Sequence, residues 1–421
     1  MYSGRTTDMG SEPAGPRRSG LSTRRRRGER PRWAPDLVVL VAIGFLTLVS
    51  QISLIWHHAV PDLDTDTFIA RAAAPCGGQW IVKGMGDSAH PLGNALIQRW
   101  DCHFQPPGGL TPASGWFLLL SVAVVLVVVL VVGFAFLRGG GAGSATVAVA
   151  YLGLSPAMRT MATRADEKWI GVMLFLVTTL CILGFHRAAA RRGAWLLAVV
   201  LSSTVLGLWH TQYMLILLIG LVPWGLVALL RPTALGTTRA RAVALGSAVF
   251  VLPGALIWLM LRSGYVAKVP YEKLFYSIFN DKYWRGWVTW FRDYVAYSSR
   301  WLTGWLSNDG TQEIQLPAPV GTSFVLLGLV ALALYLLVMV MTRDWLLCAV
   351  AFGCLALPFL YEPNNAERWD AVSIVFALGL ASGVARTRRA SGATTDARGD
   401  GPAERESEAA VAGAGAGPSR T

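Results

Sequence analysis

After its first apolar block the chain reads Pro61-Asp62-Leu63-Asp64-Thr65-Asp66-Thr67-Phe68. Three carboxylates at alternating positions concentrate negative charge. One of them, held against a hydroxyl, can act as a general base. Two of them, Asp64 and Asp66, can hold a divalent cation through oxygen ligands. The plain alternative is a solvated acidic turn. Four more polar groupings stand out. They are Asp87-Ser88-Ala89-His90-Pro91-Leu92-Gly93, Thr163-Arg164-Ala165-Asp166-Glu167-Lys168, His210-Thr211-Gln212-Tyr213, and the run Tyr361–Asp370, which contains Arg368. Arg368 presents a guanidinium that is always charged and can bind two phosphate oxygens at once. Its alternative is an ion pair with Glu367 or Asp370. Asp166 and Glu167 precede an apolar helix whose N-terminal dipole favours acids. The alternative there is a charged cap with an Arg164–Asp166 pair, and for His210 and Gln212 it is an interfacial polar belt.

The elements that must position these groups are apolar. Of 421 residues, 53% are hydrophobic and 15% charged, against about 25% charged in soluble domains. Mean hydropathy is +0.46. A membrane-crossing helix needs about 20 mostly apolar residues. Eight blocks meet that description clearly: Leu37–Trp56, Trp116–Leu137, Trp169–Phe185, Met214–Leu230, Val243–Leu261, Phe324–Met341, Trp345–Leu360 and Val372–Val384. Ala145–Met158 and Ala194–Trp209 are weaker and have re-entrant or interfacial segments as their alternative. The expected fold is therefore an all-α integral membrane protein of about ten transmembrane helices, spanning 37–386. Arg-rich residues 1–36 and Ala/Gly/Glu-rich residues 387–421 read as disordered tails. The first block is too long for a signal-peptide core and reads as an uncleaved span.

Arginine sets the orientation. With both termini in the cytoplasm, the short inner connections hold Arg138, Arg187, Arg191, Arg192, Arg231, Arg239, Arg241 and Arg343, followed by Arg386, Arg388 and Arg389. Every Lys (83, 168, 268, 273 and 282) then falls outside. The net charge of +12 is thus a topology signal, and no nucleic-acid partner is expected. The outer loops 57–114 and 262–322 are long. The second carries aromatics every three or four residues with Lys and Arg between them, which suits helices lying in the interface. Cys76 and Cys102 share the first loop, where an oxidising exterior permits a disulfide. Two separate thiols are the alternative.

The order of acidic motif, aromatic, then His-Pro-Leu-Gly leading into an apolar helix resembles the GT-C superfamily of membrane glycosyltransferases. It is similar to the first outer loop of protein O-mannosyltransferases and of lipid A aminoarabinose transferases. The chain has Asp-Thr-Asp and a single Pro where those families have Asp-Glu and paired Pro. The resemblance implies a sugar moved from a polyprenyl-phosphate donor to a glycan, protein or lipid acceptor at the outer face of the cell membrane. It implies Asp64 as catalytic base, with Asp66 second, and a possible divalent metal on these two. Arg164, Lys168 and Arg368 would hold the donor phosphate. Asp62, His90, Asp166, Glu167, His210 and Gln212 would shape the site. A transporter or flippase of lipid-linked sugar and a non-catalytic envelope-assembly subunit are the rival readings. Motifs for ATP-driven pumps, serine hydrolases and zinc peptidases are missing from the sequence.

Overall fold

The computed structural model describes residues 34–58, 86–87, 90–104, 115–155, 158–159, 162, 168–267, 287–303, 307–308, 314–315, 322–360 and 369–399. These are almost entirely helical. In chain order they are α1 (Ala34–His58), α2 (Gly93–Phe104), α3 (Gly115–Leu137), α4 (Gly141–Leu154), α5 (Lys168–Arg187), α6 (Arg192–Trp209) and α7 (Thr211–Leu230). Then come α8 (Arg239–Gly246), a π turn at Ser247–Val251, α9 (Leu252–Arg262), α10 (Trp287–Ser298), α11 (Arg300–Thr303), α12 (Thr322–Thr342), α13 (Trp345–Leu360) and α14 (Asp370–Gly399). Strand content among the described residues is two pairs of two-residue strands. Gly86–Asp87 pairs in parallel with Val266–Ala267, which ties the first long loop to the end of α9. Ser307–Asn308 pairs antiparallel with Ile314–Gln315.

Among the described residues, eight helices are long and apolar enough to cross a membrane, the mark of a multi-pass membrane protein. Runs such as the Val-rich α3 are helical because hydrocarbon offers the backbone no other hydrogen-bond partner. The ten apolar blocks divide into these eight and two shorter helices, α4 and α13. The block read as Ala145–Met158 is displaced. Its helix starts at Gly141 after a turn in which Gly139 and Gly141 have φ of 71° and 60°. It stops at Leu154 because Ser155 precedes Pro156 and is held extended (φ −66°, ψ 115°). After the π turn and Leu252 comes Pro253, which lacks an N–H to donate into the preceding turn.

Small and polar residues join the helices. In α1, Gln51 Nε2 donates to the Leu152 carbonyl of α4 at 3.1 Å. Ser203 of α6 donates to Ala248 at 3.0 Å. The α7–α13 seam relies on glycine: a Cβ on Gly220 would sit 2.2 Å from the Ala349 carbonyl oxygen, and one on Gly353 would sit 2.1 Å from that of Ile216. Such close backbone approach is the usual basis of helix association in lipid, where apolar side chains gain little from leaving the solvent.

In the loop between α9 and α12, the helix α10 packs one face on the bundle and leaves the other exposed. Val288 and Phe291 of α10 are exposed, but Trp290, Tyr294 and Val295 are buried. Tyr294 donates its hydroxyl to the Leu355 carbonyl (2.9 Å) and Trp290 its indole N–H to that of Phe359 (3.0 Å), both on α13. The aromatic run Tyr271–Gly286 lies outside the described residues.

The bundle has two distinct ends. At one, Arg138 follows α3, Arg187 ends α5 and Asp344 precedes α13. Asp344 bonds to both arginines, at 2.5 Å in the case of Arg138. Arg388 of α14 reaches Asp36 of α1 there (3.2 Å). At the other end lie the starts of α3, α5, α7 and α14 and the polar groups considered next.

Candidate functional site

His-Pro-Leu-Gly is seated on the joint between α6 and α7. The joint is His210, an extended residue (φ −155°, ψ 102°) between two helices. The Leu92 N–H donates to the Leu208 carbonyl at 2.7 Å. The next residue must be glycine, because a Cβ on Gly93 would lie 2.4 Å from the Trp209 carbonyl oxygen. With Leu92 and Gly93 fixed in this way, His90 meets His210. Their Nε2 atoms are 3.2 Å apart, and the rings are near-perpendicular (85°) with centroids 4.4 Å apart.

Tyr213, in the first turn of α7, packs edge-on against His210 at 4.8 Å between centroids. Its hydroxyl donates to the Lys168 carbonyl at 3.3 Å, which brings the start of α5 to the same place. Gly171 provides the clearance: a Cβ there would lie 2.7 Å from the Tyr213 ring. Lys168, His210 and Gln212 are all buried, at 4%, 0% and 5% exposure. Lys168 opens α5, and a helix N-terminus is already the positive end of the dipole. A buried ammonium at that position therefore calls for negative charge nearby, either acidic neighbours or an anionic ligand.

Chemically, the pair of imidazoles is a linked donor and acceptor. With Nε2 facing Nε2, one ring must donate and the other accept, so the tautomer of each fixes that of the other. Lys168, whose carbonyl Tyr213 reaches, and Gln212, next to Tyr213 in the chain, are buried polar residues of the same region. This set suits an anionic oxygen or a proton in transit.

Of the residues singled out in the sequence, His90, Lys168, His210 and Gln212 converge here. Asp62, Asp64, Asp66, Cys76, Arg164, Asp166, Glu167 and Arg368 lie outside the described residues. So does any disulfide, since nothing is described of the Cys102 side chain either. Among the described residues no group of three or more His, Cys, Asp or Glu could hold a metal ion.

Other members escape a sequence reading. Tyr213 and Gly171 act through packing and carry no chemical signature. Arg300 (2% exposed) and Asp370 (0% exposed) are buried charges at the starts of α11 and α14. Beside them lies an aromatic cluster in which Trp369 packs on Tyr294 (5.4 Å), and Trp301 on Phe376 (5.0 Å) and Tyr335 (6.0 Å). The signal for Arg300 was present: a charge set between two serines and a tryptophan inside an aromatic stretch.

Fold and site together define a multi-pass helical membrane protein with a buried polar cluster at one end of its bundle. No family model and no curated protein matches the chain.

Proposed function

We propose that the chain is an integral-membrane glycosyltransferase that moves a sugar from a polyprenyl-phosphate donor to an acceptor hydroxyl at the outer membrane face. Asp64, with Asp66 second, takes the proton from the acceptor hydroxyl. The acceptor oxygen then bonds to the anomeric carbon with inversion, and the bond from that carbon to the phosphate oxygen breaks. The lipid phosphate leaves with the electron pair, and Arg164, Lys168 and Arg368 stabilise the charge that grows on it.

The observation that carries this reading is the seating of His-Pro-Leu-Gly on the α6–α7 joint. That motif leads the resemblance to GT-C enzymes, and its docking brings His90 onto His210, at the end of the bundle where α5 begins with Lys168 and α7 carries Gln212 in its first turn. Charge placement adds support. Among the described residues, ionisable side chains of the long helices other than cysteine and tyrosine gather near their ends. Transport sites tend instead to lie near the midplane.

The test uses full-length protein reconstituted in liposomes with radiolabelled polyprenyl-phosphate sugars and an envelope extract as acceptor. Label transfer that is lost in Asp64→Asn supports the reading. Full transfer by Asp64→Asn overturns the base assignment. Movement of labelled lipid across the bilayer without transfer makes the protein a flippase.

A further inference from the structure

The arginine end of the bundle holds a cavity of about 390 Å³. Its wall includes Arg138, Arg187, Arg343, Arg386 and Arg389, with Asp344 as the acid among them. Arg138 and Arg187 share that acid, and Arg389 donates to the Arg138 carbonyl. Arg343 and Arg386 make no ion pair among the described residues. Five guanidinia around one carboxylate repel one another unless an anion joins them.

Two buried polar atoms in the wall also lack a partner among the described residues: Arg138 Nε and Ser382 Oγ, the latter residue only 3% exposed. Both are hydrogen-bond donors on residues that line the cavity.

The cavity adjoins an apolar groove. Leu137 and Arg187 line both, and the groove, about 560 Å³, continues between α3, α5 and α6 past Val129, Gly133, Val177, Leu180 and Trp195. Phe134 marks the boundary: the guanidinia of Arg138 and Arg187 lie over its ring at 5.1 and 5.9 Å. A basic chamber opening onto an apolar trough, at the end of membrane-length helices, is complementary to one amphiphile.

We propose that this cavity and groove bind an anionic glycerophospholipid from the leaflet at the arginine end, with its phosphate among Arg343, Arg386 and Ser382 and an acyl chain along α3 and α5. Under the positive-inside bias this is the cytoplasmic leaflet, so the site is separate from the His90–His210 cluster and independent of any glycosyl transfer. Juxtamembrane arginines are attracted to anionic lipid, and a cavity orders that attraction onto one headgroup.

The test is thermal unfolding and native mass spectrometry of the full-length protein in neutral detergent, delipidated and titrated with phosphatidylglycerol. The expected result is a retained lipid mass and a rise in Tm of several degrees, with apparent affinity about tenfold lower in Arg343→Gln/Arg386→Gln. Val177→Trp, which fills the groove away from the arginines, should lower affinity while leaving the unliganded Tm near that of the parent. An equal rise with phosphatidylcholine overturns the charge recognition. The same rise with millimolar inorganic phosphate alone overturns the lipid as occupant, and unchanged affinity in both variants overturns the site.

Discussion

His90 Nε2 lies 3.2 Å from His210 Nε2, across 120 residues of chain. The contact joins the first long loop to the α6–α7 joint, and it depends on backbone docking two residues further on. Groups in direct contact do not act independently. His90→Ala and His210→Ala should each destabilise the protein, and the double variant should fall short of their sum by about 1 kcal/mol. A double-mutant cycle on thermal unfolding in detergent measures this. Strict additivity would remove the pair as an energetic unit. In the transfer assay, either single variant should lower activity by at least tenfold if the pair orders the site.

Gly93 provides the sharper structural test. A methyl group there would meet the Trp209 carbonyl oxygen at 2.4 Å, a backbone atom that cannot rotate away. Gly93→Ala should therefore displace the loop from the joint, at about 1–3 kcal/mol. The long spans themselves should remain folded. Loss of transfer with an unchanged far-ultraviolet helical signal is the expected outcome. Full transfer and an unchanged Tm would show that the docking is dispensable.

These residues mark how much of the molecule was legible in its sequence. The apolar blocks foretold the helices because hydrocarbon leaves the backbone no alternative. Block bounds were less reliable: the run Ala145–Met158 forms its helix at Gly141–Leu154, whereas Trp345–Leu360 keeps its bounds at 16 residues. Of the site, His90, Lys168, His210 and Gln212 stood out because polar side chains are conspicuous beside apolar runs. Their partners did not. Nothing local in the sequence pairs His90 with His210, and Gly171 reads as an ordinary helix residue until Tyr213 is seen resting on it. Asp344 was equally silent. Alone it looks like a cap for α13, and only the fold brings Arg138 and Arg187 to it.

Gly353 tests the seam between α7 and α13. Its Cβ position lies 2.1 Å from the Ile216 carbonyl oxygen and 3.1 Å from the Gly220 nitrogen. Neither atom can yield without separating two helices. Gly353→Leu should lower stability by about 3 kcal/mol or more, near the upper end for overpacking, because the obstruction is main chain. Gly225→Leu on α7 is the control, since a Cβ there meets nothing within 4 Å. A steep fall in Tm for the first and little change for the second is expected. Equal behaviour would mean that the seam is looser than its geometry states.

Asp344 links stability to pH. Burial pushes its carboxyl up, but Arg187, Arg138 and the Leu347 N–H more than offset this and hold it at about 2, against an ordinary 3.8. A carboxyl depressed by folding stabilises fully above its ordinary value, and the contribution disappears as pH falls towards the folded value. The window is therefore about pH 4 down to about pH 2. With the side chain only 9% exposed, the shift corresponds to about 2 kcal/mol. Burial also brings Arg138 down to about 10 despite Asp344, still charged throughout that window. Asp344→Asn leaves Arg138 and Arg187 facing each other without their acid and should lower Tm at pH 7. It should also flatten the dependence of Tm on pH between about 4 and 2, because the titrating group is gone. Thermal unfolding of both proteins across that range, in a detergent that does not itself titrate, separates the two effects. A variant that loses stability on acidification as steeply as the parent would assign the acid sensitivity to other carboxylates.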